Sequence, residues 1–346
     1  MSRRYLFLCP DSQKASGGIA VIYDIVTVLR RAGFEAFVLH NAPEARYSNH
    51  PESPPRLYTH AWKQTRLRHS GRRHRFWAKL RMGLESLRGG DNPPFQLRAT
   101  DLLVVPEYMI AEAMEAFPET ELAVLLQNPF SFQHAFLTGL KRGHDIRARA
   151  RIFLGVSRIC MDQFDLLGIA GGYYLPVSMQ PEAFPFQAEK EPLITYMPYK
   201  RRDEARLIVA ALAGRPELAG YRLEAIDDLP REQVSARLQR SRFFLSLQKH
   251  ESIGFPAAEA MAAGCIVVGY TGLGGREYFD TTTGIPVTED DTAGLVAALL
   301  ATLRDHAKDP ARFDALRRHA SAEINRRYAH DQFEDALVRI WREIDG

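Results

Sequence analysis

Cysteine is scarce in this chain of 346 residues: Cys9, Cys160 and Cys265 are widely separated, each inside an apolar stretch. An odd, scattered set implies neither a disulfide framework nor a paired zinc spacing, and buried thiols in a reducing cytoplasm are the simplest expectation. Long apolar runs are also missing. No stretch approaches the 18 or more apolar residues of a membrane span. The first apolar run, Tyr5 to Cys9, is too short for a secretory signal core and is ended by Pro10. The chain has no Asp-x-Asp pair of the kind that can hold a divalent cation. It also lacks a dominant charge, because the net balance is only +3. That small figure hides an asymmetry. Arg56 to Arg88 holds ten Lys or Arg and one acidic residue, Glu85, so this stretch carries +9 and the rest of the chain −6. The basic region is a local feature, and the overall charge says little about partners.

What is present is an ordinary globular composition, 46% hydrophobic and 25% charged. At this length two domains are expected rather than one enlarged core. The chain starts as strand (Tyr5 to Cys9), turn (Ser16-Gly17-Gly18) and helix. Ile22, Ile25, Val26 and Leu29 keep the spacing of one buried helical face. Gly33 should stop that helix before a strand from Phe34 to His40. Nearly continuous apolar runs at Asp101 to Pro106, Glu121 to Gln127 and Arg151 to Ser157 read as strands buried on both faces. Ser157 is placed to cap the helix after the last of them. Pro176 to Pro192, rich in proline and aromatics, reads as an interdomain linker. A second alternation follows, with strands at Leu193 to Met197, Arg222 to Ile226, Phe243 to Leu247 and Cys265 to Tyr270. The last segment, Asp331 to Ile344, is an amphipathic helix carrying Phe333, Leu337, Ile340, Trp341 and Ile344 on one face.

The pattern therefore predicts an α/β protein of two Rossmann-like, doubly wound domains. The expected boundaries are residues 1–180, with a basic insertion at about 56–98, then 188–328, and a helix at 329–346 closing back on the first domain.

The segment from Phe243 to Phe279, FFLSLQKHESIGFPAAEAMAAGCIVVGYTGLGGREYF, carries the most chemistry. A buried strand ends near Gln248, a loop bears Glu251, Pro256 tolerates a helix start, and Gly264 ends the helix. The helix N-terminus then opens at the carboxyl edge of a parallel sheet, where ligands of such folds bind. Its free N–H groups around Gly254 to Ala258 would seat a diphosphate. Two carboxylates beside that seat need separate tasks: Glu259, one turn into the helix, suits ribose hydroxyls, and Glu251, before the helix, suits the sugar.

Glu251 and Glu259 match the E-x7-E motif of retaining glycosyltransferases of the GT-B fold, the large family that includes bacterial mannosyl-, glucosyl- and rhamnosyltransferases. The flanking GFPAAEAMAAGCIVVGYTGLGGREYF resembles that family's donor segment almost throughout. The resemblance implies two domains facing a cleft, with Glu251 at the transferring sugar, Gly254 and Phe255 offering backbone N–H groups, and Glu259 on the ribose. It also implies that the loop Gly272 to Gly275 and Glu277, with Gly274 among its glycines, borders the donor. Gly17 and Gly18 match the family's glycine turn after the first strand.

Met197-Pro198-Tyr199-Lys200-Arg201-Arg202 puts a basic cluster at a strand's carboxyl end, suited to a leaving diphosphate. Lys200 is the favoured cation, then Arg201, with Arg202 the third candidate. Strand ends at Glu107 and Asn128, together with His134, are the acceptor-side candidates. The resemblance implies front-face attack with retention, no metal and no cofactor, and a nucleotide-diphosphate sugar as co-substrate. A glycan or lipid-linked acceptor is expected, in the cytoplasm, with peripheral contact at the cell membrane. An epimerase or a glycan phosphorylase on the same architecture is the closer rival. For the basic stretch three expectations stand: an amphipathic helix on anionic lipid, a groove for an anionic glycan, or a solvated insertion packed on the first domain. Nucleic acid is not expected, because no base-stacking or groove-reading element accompanies the charge.

Overall fold

The computed structural model describes residues 3–12, 16–48, 50–68 and 72–346, with backbone alone at 72–75, 81 and 86–88. Residues 69–71 of the basic stretch thus lie outside the described residues. The chain divides into two compact units, one of Met1–Pro176 with Glu334–Gly346 and one of Val177–Phe333.

The first unit is built on seven strands: β1 (Arg4–Leu8), β2 (Glu35–His40), β3 (Arg56–Tyr58), β4 (Leu102–Pro106), β5 (Glu121–Leu126), β6 (Ala150–Gly155) and β7 (Tyr173–Tyr174). They lie in the order β3-β2-β1-β4-β5-β6-β7, every neighbouring pair parallel. The order reverses between β1 and β4, which makes that gap the switch point of a doubly wound sheet. Helix Gly17–Arg31 buries Ile19, Ile22, Tyr23, Ile25, Val26 and Leu29. Each such aliphatic burial contributes about 1.5–3 kcal/mol relative to exposure. The helix ends as the spacing predicts. Gly33 takes φ +92°, and the Gly33 and Phe34 N–H groups return to the carbonyls of Arg30 and Leu29.

The final helix, His330–Asp345, buries Leu337, Ile340 and Trp341. Within the first unit Trp341 stacks on Phe7, ring centroids 5.6 Å apart, and meets the edge of Tyr5 at 6.0 Å. Ser157 does stand at a helix N-cap, but its side chain makes no capping bond and its hydroxyl donates to Cys160 Sγ at 3.2 Å. All three cysteines are buried free thiols.

The second unit holds β8 (Glu191–Tyr196), β9 (Arg222–Ala225), β10 (Ser241–Leu247), β11 (Ile266–Tyr270) and β12 (Ile285–Val287), in the parallel order β12-β11-β10-β8-β9. Its core interdigitates Ile194, Phe243, Leu245 and Val268 with Ile208, Leu295 and Leu299 from the covering helices. The switch point falls between β8 and β10. The stretch taken as a linker is instead ordered on this unit: Phe184 is fully buried under the Arg231 guanidinium, and Phe186 lies beneath Arg317 and Arg318. Aromatic rings in a proline-rich stretch gain more by covering a core than by facing water.

The strands β3, β7 and β12 were not anticipated. Each has only two or three residues and is too short to show a period. Among the described residues no helix is long and apolar enough to cross a membrane.

Candidate active site

The two loops that flank the second unit's switch point bring the sequence-predicted groups together. Lys200 follows β8, Glu251 follows β10, and the Lys200 Nζ lies 2.7 Å from Glu251 Oε1. Both side chains keep about a third of their surface open to solvent. An accessible cation and carboxylate thus stand side by side at the carboxyl edge of the sheet.

The three consecutive basic residues separate cleanly. Arg201 is buried at 7% exposure, its guanidinium bonded to Glu204, Glu289 and Asp290 and lying over the Tyr270 ring at 4.7 Å. Its Nε also reaches the Gln248 carbonyl at 3.3 Å. Those carboxylates outnumber its single charge and keep it protonated, so Arg201 ties β8 to the β10 and β12 loops and is no free cation for a diphosphate. Arg202 is held by both oxygens of Asp227, at 2.6 and 3.0 Å. Lys200 is the one of the three turned toward Glu251.

Gly254 caps helix Phe255–Ala262 with φ +81°, and no acidic side chain lies in the first turn. The N-terminal dipole and amides there meet no carboxylate within the first turn itself. The glycines of this region have a steric reason. A Cβ on Gly254 would stand 1.8 Å from Gln248 Oε1, and on Gly272 or Gly275 3.1 Å from the same atom. A Cβ on Gly274 would stand 2.0 Å from the Ser252 carbonyl. The Gly274 N–H donates to the Glu251 carbonyl at 3.3 Å. The glycine loop therefore buttresses the Glu251 loop from behind. Phe255 and Glu277 are partly exposed nearby in sequence.

Gln248 itself was missed. Its amide is 5% exposed and donates to the Gly254 carbonyl and to Tyr278 Oη, while the Tyr278 hydroxyl donates to the same carbonyl. A buried amide ending an apolar strand was the available signal, since such a group must find partners.

Glu259 lies in the second turn of the helix, retains some solvent contact, and has no hydrogen bond or ion pair among the described residues. Protein crowding strips water from the carboxyl and raises its pKa to about 7, with the positive charge of Arg231 opposing the rise.

In the first unit Gly17 and Gly18 open helix Gly17–Arg31, and Gly18 lies against Gln127, whose Oε1 would be 3.2 Å from a Cβ there. The acceptor-side candidates Glu107, Asn128 and His134 have separate local surroundings. Glu107 is 2% exposed and accepts the Gln127 N–H at 3.0 Å. Burial raises its pKa to about 7 although the Gln127 and Asn128 N–H groups favour the charged form. Asn128 Oδ1 caps helix Pro129–Lys141 by accepting from Phe130 and Ser131. His134 stands exposed on that helix. A chain unseen in the sequence lies instead at the carboxyl ends of β1 and β2. Tyr23 Oη meets His40 Nε2 at 2.9 Å, and His40 Nδ1 meets Asp11 at 3.3 Å. Its members, Asp11, Tyr23 and His40, are scattered along the chain with no motif spacing.

Residues 190–305 match the family model described as "Glycosyl transferases group 1". An alpha-1,6-glucosyltransferase of Actinobacillus pleuropneumoniae serotype 7 is 23% identical over 275 residues, which cover 73% of this chain and 78% of that protein. Among solved structures, sucrose-phosphate synthase from Thermosynechococcus elongatus aligns with a TM-score of 0.68 at 12% identity, over 99% of both chains. Anabaena HepE, solved with UDP and glucose, aligns with 0.66 at 12% identity, over 98% of this chain and 99% of that one. The fold is that of GT-B proteins. The family match within the second unit, added to this fold, supports a GT-B glycosyltransferase.

Proposed function

We propose that the protein is a retaining glycosyltransferase that moves a hexosyl group from a nucleotide-diphosphate sugar to a glycan or lipid-linked acceptor. The observation that carries this is the Lys200–Glu251 pair, 2.7 Å apart, following the two strands that flank the switch point. A UDP-sugar is the donor to try first, since the HepE structure contains UDP and glucose and the curated relative is a glucosyltransferase.

In the proposed reaction the bond from the anomeric carbon to the leaving phosphate oxygen breaks while the acceptor oxygen attacks the same face. The acceptor proton passes to that phosphate oxygen, and the sugar carries oxocarbenium character between. The N-terminus of helix Phe255–Ala262 and the Lys200 ammonium stabilise the charge that grows on the diphosphate. Glu251 accepts hydrogen bonds from sugar hydroxyls and holds Lys200 in place, and Glu259 accepts from the ribose. The loop Gly272–Gly275 fixes Glu251, so the contribution is positioning and preorganised charge. No metal or cofactor is assigned a step. The buried free thiols fit a reducing compartment such as the cytoplasm.

Assaying Glu251→Ala and Lys200→Met with a panel of nucleotide sugars and glycan acceptors tests this, with the anomeric configuration of product read by NMR. Each variant should lose about 100-fold or more in kcat with the fold intact. Normal transfer by Glu251→Ala, or an inverted product, would refute the mechanism. Sugar isomerisation without acceptor, or turnover that requires inorganic phosphate, would replace it with an epimerase or a phosphorylase.

A further inference from the structure

The basic stretch contributes two helices to the first unit, Ala61–Arg68 and Arg72–Arg88. Trp62, Leu67 and Met82 are buried at 8% exposure or less, so part of the region does pack on the unit. Four other large apolar side chains do not: Phe76 is 64% exposed, Trp77 61%, Leu80 47% and Leu84 48%. At 3.6 residues per turn these four fall within an arc of about 100° on helix Arg72–Arg88. Met82 and Glu85 point away from that arc and are buried, which fixes the orientation of the helix on the unit. Glu85 is paired inward with Lys63 at 3.4 Å. The two leading aromatics form an edge-to-face pair with centroids 5.6 Å apart, a preassembled wedge.

An exposed apolar arc is costly in water and signals something that covers it. The charge of the element selects the partner. The helix sequence carries Arg72, Arg73, Arg75, Lys79, Arg81 and Arg88, and its lone carboxylate is the inward Glu85. A neutral protein surface or a second copy of this helix gains nothing from six cations, whereas a sheet of anionic headgroups over an acyl boundary matches both the charge and the apolar face. We infer that the Phe76-Trp77-Leu80-Leu84 face of this helix docks the protein on an anionic lipid bilayer. The aromatic pair enters the interface and the exposed Lys79 meets the headgroups. This stands apart from the transfer reaction, and its test needs no activity.

The chain carries its own probe. Of its three tryptophans, Trp62 and Trp341 are buried and Trp77 is the exposed one. Phosphatidylcholine vesicles, and the same vesicles with about a third phosphatidylglycerol, are mixed with the whole protein and sedimented while tryptophan emission is recorded. The protein should sediment with the anionic vesicles, its emission shifting to the blue, and less than a tenth as much with the neutral ones. Phe76→Ser with Trp77→Ser should cut sedimentation about tenfold or more at an unchanged thermal midpoint, and Lys79→Glu should weaken it several-fold. Trp77→Phe should keep most of the sedimentation and lose the shift. Equal binding to neutral vesicles, undiminished binding of the double serine variant, or no binding to either vesicle would overturn the inference. So would a concentration-dependent dimer that the double variant abolishes.

Discussion

Replacing Glu259 with Gln should make the protein more stable and its donor binding worse, with the stability gain growing as pH rises from about 4.5 to about 7 and constant above. In the unfolded chain this carboxyl has its ordinary value of 4.5, whereas in the fold it is raised to about 7 by loss of hydration. The folded state therefore holds a proton that the unfolded state releases between those values. Stability falls as pH rises through that window, and the full cost is in place above about pH 7. A rise of this size corresponds to an upper bound of about 3 kcal/mol, using about 1.4 kcal/mol per unit. Because Glu259 keeps some contact with solvent, we expect roughly half, about 1–2 kcal/mol. Glutamine removes the titration and keeps the shape. Thermal unfolding should show wild type and variant nearly equal at pH 5. At pH 8 the variant should melt several degrees higher, at about 2–4 °C per kcal/mol for a domain of this size. Isothermal titration with a nucleotide sugar should show weaker binding by the variant. Wild-type affinity should improve as pH rises through 7, since ribose hydroxyls bond best to the ionised form. A stability difference independent of pH would refute the assignment of the raised carboxyl to Glu259, and unchanged donor affinity would remove its ribose role.

Other substitutions separate structure from chemistry. Arg201→Met leaves Glu204, Glu289 and Asp290 without their common cation and should destabilise the second unit by about 3 kcal/mol, read as a lower urea midpoint. Gly254→Ala meets both a left-handed backbone and the Gln248 amide, and should cost about 2 kcal/mol or more together with donor affinity. Asn128→Ala should cost about 1 kcal/mol through the lost cap while leaving kcat unchanged, which distinguishes a capping residue from an acceptor contact.

Much of the donor side was legible in the linear chain because its information is local. Apolar runs of strand length, the period from Ile22 to Leu29 and the glycine at 33 each act over a few residues. The Glu251 to Glu259 spacing straddles one helix start, so strand, loop and helix could be placed around it without a tertiary contact. The short strands β3, β7 and β12 escaped notice for the converse reason: two or three residues become a strand only when a neighbouring edge offers hydrogen bonds.

What only the tertiary structure decided was which charges are free. Lys200, Arg201 and Arg202 are indistinguishable as a run of cations. Asp227 claims Arg202, and Glu289 and Asp290, nearly ninety residues beyond Arg201, claim that guanidinium, leaving Lys200 for Glu251. The same holds for Asn128, whose apparent availability ended when its side chain met the helix it caps, and for the Asp11–His40–Tyr23 chain, which exists only because β1 and β2 are adjacent. Periodicity determines which residues leave water, since that follows from neighbours a turn or a pleat away. Whether a polar group is spent or available depends on partners that only folding brings within hydrogen-bond reach.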